Sequence, residues 1–199
     1  VYDALKTFIG EGVRHILEGL DHVLFVICLV LGATQLRSLV WRVTGFTLGH
    51  SVTLSLGFFG LVPAGAWFIP AVETGLALSI VYAALIAMRP RKGVYSNERT
   101  MFAMTCGIGL LHGLGFSFVL HKILQVSSPN IWQSLLAFNV GVELGQLIII
   151  LLSWPLFYFA RRAGEAFWNY SRGGLALACI GLASVWAVER SMAVFNTLR

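Results

Sequence analysis

Residues 15–31 read His15-Ile-Leu-Glu-Gly-Leu-Asp21-His22-Val-Leu-Phe-Val-Ile-Cys-Leu-Val-Leu31. The second half is an unbroken apolar run of the kind that enters lipid, and the first half places polar donors at its mouth. At about 100° per residue, Glu11, His15, Glu18 and His22 stand at i, i+4, i+7 and i+11 and share one helical face, with Asp21 on its shoulder. Imidazole and carboxylate together are the donors that borderline divalent cations such as nickel, cobalt and zinc accept. A helix start that merely meets headgroups would account for any one of these residues. It has no need of a second histidine two turns deeper.

The apolar character continues to the end of the chain. Of its 199 residues 57% are hydrophobic and 12% charged, with a mean hydropathy of +0.80. That balance excludes an ordinary soluble domain. Only helices and closed barrels satisfy their backbone inside lipid, and barrel alternation is absent. The expected fold is therefore all-α, a polytopic transmembrane bundle forming one membrane domain over residues 1–199. Six spans are predicted near 16–34, 39–61, 69–88, 101–124, 131–159 and 173–195, preceded by an interfacial amphipathic segment at 1–14. Pro155 is expected to kink or end the fifth span. A start at Val1 fits a chain whose signal peptide has been removed, or one that follows an upstream domain.

The net charge of +5 is topological in origin. Basic residues sit in short connections and form no basic face, which argues against a nucleic-acid partner. The connections between spans 1–2, 3–4 and 5–6 hold Arg37, Arg42, Arg89, Arg91, Lys92, Arg99, Arg161, Arg162 and Arg172. The opposite side holds Lys6, Arg14, Lys122, Arg190 and Arg199. By the positive-inside rule both termini lie outside. Cys28, Cys106 and Cys179 are isolated within spans, lack CxxC spacing, and read as packing residues rather than a disulfide or thiolate site.

Ionisable residues at membrane depth cost about 2.5–3.5 kcal/mol each on insertion scales, so each needs a partner or a pathway. His22 and Asp21 fall in span 1, His50 in span 2, Glu73 in span 3, His112 in span 4, and Asn139, Glu143 and Gln146 in span 5. At about 1.5 Å per residue from the span ends, these groups converge on the outer half and midplane, with His50 at the floor. Asn139, Glu143 and Gln146 form a polar stripe at i, i+4 and i+7 that faces the bundle, as do Thr44, Thr47, His50 and Ser51. Interhelical hydrogen bonding alone is the plain alternative for both stripes. Gly45 and Gly49 flank His50, Gly141 and Gly145 flank Glu143, and Gly107, Gly109, Gly113 and Gly115 surround His112, which lets helices approach closely there. His121 reads as interfacial, and Glu98, Glu165 and Glu189 as solvated.

The spacing His15-x5-Asp21-His22 resembles the histidine-aspartate-histidine signature of the HupE/UreJ family, membrane proteins associated with nickel or cobalt supply to hydrogenase and urease. The resemblance extends through Phe46-Thr-Leu-Gly-His50-Ser-Val-Thr-Leu, Val72-Glu73 with Ala77-Leu-Ser-Ile, Leu111-His112-Gly-Leu-Gly-Phe, and Phe138-Asn-Val-Gly-Val-Glu143-Leu-Gly-Gln146. In the best-known permeases of that family a glutamate follows a histidine-glycine pair closely. Here His112-Gly113 is followed by Leu-Gly-Phe-Ser-Phe, so the chain looks like a second branch.

The resulting expectation is a permease or facilitator for a divalent transition metal, nickel or cobalt ahead of zinc, the ion being its substrate. Candidate metal residues are His15, Asp21, His22, His50, Glu73, His112 and Glu143, supported by Glu11, Glu18, Asn139 and Gln146. No ATP-binding loop is present, so transport would be passive or coupled through a partner. An intramembrane zinc hydrolase, with His22, His50 and His112 as ligands and Glu143 as general base, is the first alternative. An accessory subunit of a larger membrane metalloenzyme is the second. Expected partners are lipid and the metal ion, with room for a homo-oligomer or larger complex, in a cytoplasmic membrane of bacterial type with the N-terminus periplasmic.

Overall fold

A computed structural model describes residues 2–63, 65–89, 97–123 and 131–198, leaving aside the side chains of 2–4, 118–123 and 131. His121 and Lys122 are thus outside the described side chains, and most of the hydrophilic connection lies outside the described residues. Seven helices follow in order: α1 (Tyr2–Glu18), α2 (Leu20–Gly32), α3 (Leu36–Phe58), α4 (Phe68–Met88), α5 (Glu98–Ile123), α6 (Ile131–Arg162) and α7 (Glu165–Leu198). No strand occurs among the described residues.

The helix predicted to begin near residue 16 is two helices. Chain 5–18 and chain 20–32 meet at Gly19 with a bend of 74°. Glycine is the poorest helix former after proline, and Gly19 takes an extended φ of −76° and ψ of 98°. The expected boundary between interfacial segment and span falls inside α1, which packs along α6. There Gly12 and Gly141 stand face to face, and a Cβ on Gly12 would meet the Phe138 carbonyl while one on Gly141 would meet that of Ile9.

Helices α4, α5, α6 and α7 are long and apolar enough to cross a membrane, and the bent α1–α2 pair brings the number to five. Helix α3 is 23 residues long but carries Arg37, Arg42, Thr44, Thr47, His50, Ser51, Thr53 and Ser55. Its polarity is turned inward: Arg42, His50 and Thr53 are buried. Helix α6 does not end at Pro155 but continues to Arg162.

Backbone contact fixes how α3 meets α5. A Cβ on Gly49 would strike the Cys106 carbonyl, one on Gly109 the Phe46 carbonyl, and one on Gly113 the His50 carbonyl. The glycines flanking His50 and His112 therefore bring those histidines onto neighbouring backbones. Gly107, by contrast, has nothing within 4 Å of such a Cβ. The pairs Gly45 with Phe102, Gly49 with Cys106 and Gly57 with Ser117 run in the same order along both helices, so α3 and α5 are parallel.

The core contains Phe25, Val26, Phe46, Leu54, Ile80 and Phe138, all nearly or fully buried. Leu78, Leu85, Leu136, Val140, Leu151, Leu152, Leu177 and Val185 point outward. A bundle with an apolar exterior and its few buried polar groups turned inward is what lipid selects. Two arginines tie helix ends. Arg161 donates to Ala33 O at 2.6 Å and lies over the Trp168 ring at 4.5 Å, capping the C-terminus of α2. Arg42 reaches Glu98 at 3.1 Å, and Ser38 donates to the same carboxylate at 2.8 Å. Glu98 is exposed, as expected, and also ties α3 to the start of α5. Cys28 and Cys179 are free and buried, and meet between α2 and α7.

Candidate metal centre

Four histidines from α1, α2, α3 and α5 converge at the Gly19 bend. Ring centroids of His15 and His22 are 4.6 Å apart, His22 and His112 4.8 Å, His15 and His50 5.9 Å, and His22 and His50 6.2 Å. His50 is fully buried, and His22 and His112 nearly so. Asp21 is the carboxylate among them, 3.0 Å from His22 Nδ1 and 3.9 Å from His112 Nδ1. Within these, His15, His22 and His50 can each offer a ligand atom so that all lie within 4.8 Å of one another, as can Asp21, His22 and His112.

The neighbours of two rings settle which nitrogen carries a lone pair. An ionised carboxylate only accepts, so His22 donates Nδ1–H to Asp21 Oδ1 and its lone pair lies on Nε2. Ser79 donates its single proton to Leu76 O at 2.7 Å, leaving its oxygen as acceptor for His112 Nε2–H at 3.2 Å. The His112 lone pair is therefore on Nδ1, facing Asp21. An imidazole whose far nitrogen is held by a carboxylate or hydroxyl is the arrangement that orients metal-binding histidines.

The ligand-type atoms have been left without other partners. His15 Nε2, His22 Nε2, both nitrogens of His50 and His112 Nδ1 are buried and accept or donate no hydrogen bond among the described residues. Unpaired buried polar atoms cost about 1–3 kcal/mol each, so a cluster of them demands a ligand or water. The surroundings are aromatic. Phe116 lies 3.8 Å from the His15 ring, and Phe46 lies 5.0 Å from His112 and 5.9 Å from His50.

Two openings reach the cluster. One, about 280 Å³, lies between α2, α4 and α7 and is lined by Asp21, Glu73, Leu76, Trp186 and Arg190. The other, about 360 Å³, lies between α1 and α5 and is lined by Glu11, Arg14, His15, Glu18 and Phe116. Of the residues singled out from sequence, His15, Asp21, His22, His50 and His112 come together. Glu73 sits at a mouth, paired with Arg190 at 3.1 Å. Glu18 sits at the other mouth, paired with Arg14 at 2.7 Å. The bend takes His22 off the straight stripe with Glu11 and Glu18, although His15 and His22 still meet across it.

Glu143 belongs to neither ligand group. It accepts from Thr44 at 2.8 Å, and Gln146 lies 3.5 Å from Thr47, so the two polar stripes face each other across α3 and α6. Asn139 donates to Leu135 O at 2.9 Å and lies beside His50 without completing a bond to it. Sequence reasoning missed Ser79, Phe116, Gly19 and Arg190. Ser79 carried a signal, being a polar residue in an otherwise apolar stretch of the quoted Ala77-Leu-Ser-Ile motif.

The sequence profile described as HupE / UreJ protein matches residues 1–190. The chain belongs to the HupE/UreJ family. Membership implies a part in nickel or cobalt handling, as accessory protein or transporter, and the match covers every residue of the histidine cluster. Comparison of this HupE/UreJ chain with curated proteins and with solved structures gives no match.

Proposed function

We propose that this HupE/UreJ protein is a membrane permease or facilitator for a divalent transition metal, nickel or cobalt, which it binds at the Gly19 bend and passes through the bundle. The observation that carries this reading is the convergence of three buried imidazoles, the half-buried His15 and Asp21 on one place reached by two openings. A donor set dominated by imidazole suits nickel, cobalt or zinc and is a poor match for calcium or magnesium, which take oxygen ligands. Glu73 at one mouth and Glu11 and Glu18 at the other would attract cations. Glu143, Asn139 and Gln146 would form a later polar layer, since conduction needs several moderate sites.

In this reading the bent α1–α2 pair is the first of six spans, α3 is the second, and both termini lie outside a cytoplasmic membrane. The parallel course of α3 and α5 supports it, because the second and fourth spans of an up-and-down chain must run the same way. So does the contact order of α1 with α6, where Gly12 meets Gly141 and Ile16 meets Gly145, as first and fifth spans require. The engagement of Glu143 with Thr44 weighs against a hydrolase in which Glu143 is the general base.

The test is uptake of nickel or cobalt into proteoliposomes, wild type against His22→Ala. Uptake by wild type that is lost in the variant, with the fold retained by circular dichroism, is expected. Equal uptake by both, or none by wild type, overturns the transport reading.

A further inference from the structure

The cluster contains two ligand groups that have one residue in common. His15, His22 and His50 form the first; Asp21, His22 and His112 form the second. Each has its own opening: His15 lines the one between α1 and α5, and Asp21 the one between α2, α4 and α7. We propose that these are two overlapping subsites for the same divalent metal, filled one at a time, with His22 as the ligand handed from one to the other. The inference rests on the metal-binding part of the reading above and deepens it.

Valence keeps the two groups from filling together. A neutral imidazole has a single lone pair. Held by Asp21 through Nδ1–H, His22 offers only Nε2, the buried atom without a partner, and this serves the group with His15 and His50. Asp21 Oδ1 lies 3.0 Å from His22 Nδ1, so around an ion shared with Asp21 and His112 the ring offers Nδ1 and carries its proton on Nε2. Nδ1 gives up one proton to solvent and Nε2 takes up another, so the exchange balances and the ring is neutral in both states. His112 is already prepared for that second state. Ser79 holds its Nε2–H, and its Nδ1 lone pair faces Asp21 Oδ2 across 3.9 Å, a spacing too long for a hydrogen bond but suited to two ligands of one ion.

Charge gives the same exclusion. Asp21 is the single carboxylate in the two groups, so one dication leaves the cluster singly positive. A second, one imidazole ring away in a buried aromatic setting, would meet strong repulsion with no second carboxylate among the ligands to offset it. A site that can hold an ion on either side of one ring, but never on both, passes it along without trapping it.

Cobalt(II) titration of the full chain in detergent micelles tests this, reading stoichiometry by calorimetry and ligand set by visible absorption. Wild type is expected to bind one ion per chain. His15→Gln and His112→Asn are each expected to bind one ion still, with affinity changed at most tenfold and with two different spectra. The double variant and His22→Ala are expected to lose binding by at least a hundredfold. Two ions on wild type overturn the proposal, as does abolition of binding by either single variant, which would mean a single site built from all five residues. Circular dichroism identifies any variant that has failed to fold, and His15→Ala and His112→Ala then take its place. Cobalt binding in the expected pattern without uptake into vesicles removes the transport reading and leaves this inference standing; no cobalt binding by wild type overturns both.

Discussion

Replacing Gly19 by alanine tests the site without touching a ligand. At a φ of −76° and ψ of 98° the backbone accepts an L-residue, so the change introduces no strain of its own. What it introduces is a Cβ 2.7 Å from His22 Nδ1, 2.8 Å from His15 O and 3.0 Å from Asp21 Oδ1. Ordinary contact is about 3.5 Å, so the His22 ring must retreat by roughly 0.8 Å and the carboxylate by roughly 0.5 Å. Metal–ligand distances tolerate about 0.2 Å, and disturbing the partner that orients a ligating histidine lowers metal affinity about 10–100-fold. That corresponds to about 1.4–2.8 kcal/mol of binding free energy. Gly19 is the N-cap of α2, where alanine is poorer than glycine, and the Cβ also meets the His15 carbonyl, so a loss of stability of about 1 kcal/mol should accompany the change. Calorimetric titration with cobalt(II), alongside thermal melting, reads both effects. Wild-type affinity in Gly19→Ala would refute the claim that the Asp21–His22 pair at the bend holds the ion.

Other perturbations separate site from scaffold. Asp21→Asn keeps the shape but removes the charge facing His22 and His112, and should weaken cobalt binding by about 10–100-fold in the same titration. Arg161→Ala uncaps α2 at Ala33 and Val30 and should lower stability by about 1–2 kcal/mol in a denaturation series, with metal affinity unchanged. Arg190→Gln removes the positive charge paired with Glu73 at the mouth beside Asp21; initial uptake should rise severalfold at low salt, and the difference should shrink as salt is added. Lowering the pH from neutrality toward 5 should weaken cobalt binding to wild type progressively, because protons compete with the metal for the same imidazole lone pairs, and the calorimetric affinity at each pH checks it.

The residues that converge at the Gly19 bend were legible in the sequence, by helical spacing and because polar groups buried in an apolar bundle need one another. His15, Asp21 and His22 stood out by their spacing on one helix, His50 and His112 by the cost of burying them, and the structure brings the five together. The bend was not legible. Projecting Glu11, His15, Glu18 and His22 onto one face assumes a straight helix, and Gly19 alone, inside a sequence that otherwise favours helix, does not announce a 74° turn. Partner choice was also hidden. The i, i+4, i+7 spacing of Asn139, Glu143 and Gln146 says that they share a face. Which neighbour that face meets depends on the rotation of α6, and it meets Thr44 and Thr47. Glu73 was readable as a buried acid but not as half of an ion pair, since Arg190 lies at the far end of the chain. The polarity of α3 reads as a weak span in any window average, because the average cannot see that Arg42, His50 and Thr53 point inward.

X-ray absorption spectroscopy of the nickel- or cobalt-loaded protein, compared with His22→Ala, examines the convergence most directly. Scattering from two or more imidazole rings about one ion in wild type, lost or reduced in His22→Ala, is the predicted result. An ion surrounded by oxygen alone, with a spectrum identical in the variant, would contradict the account.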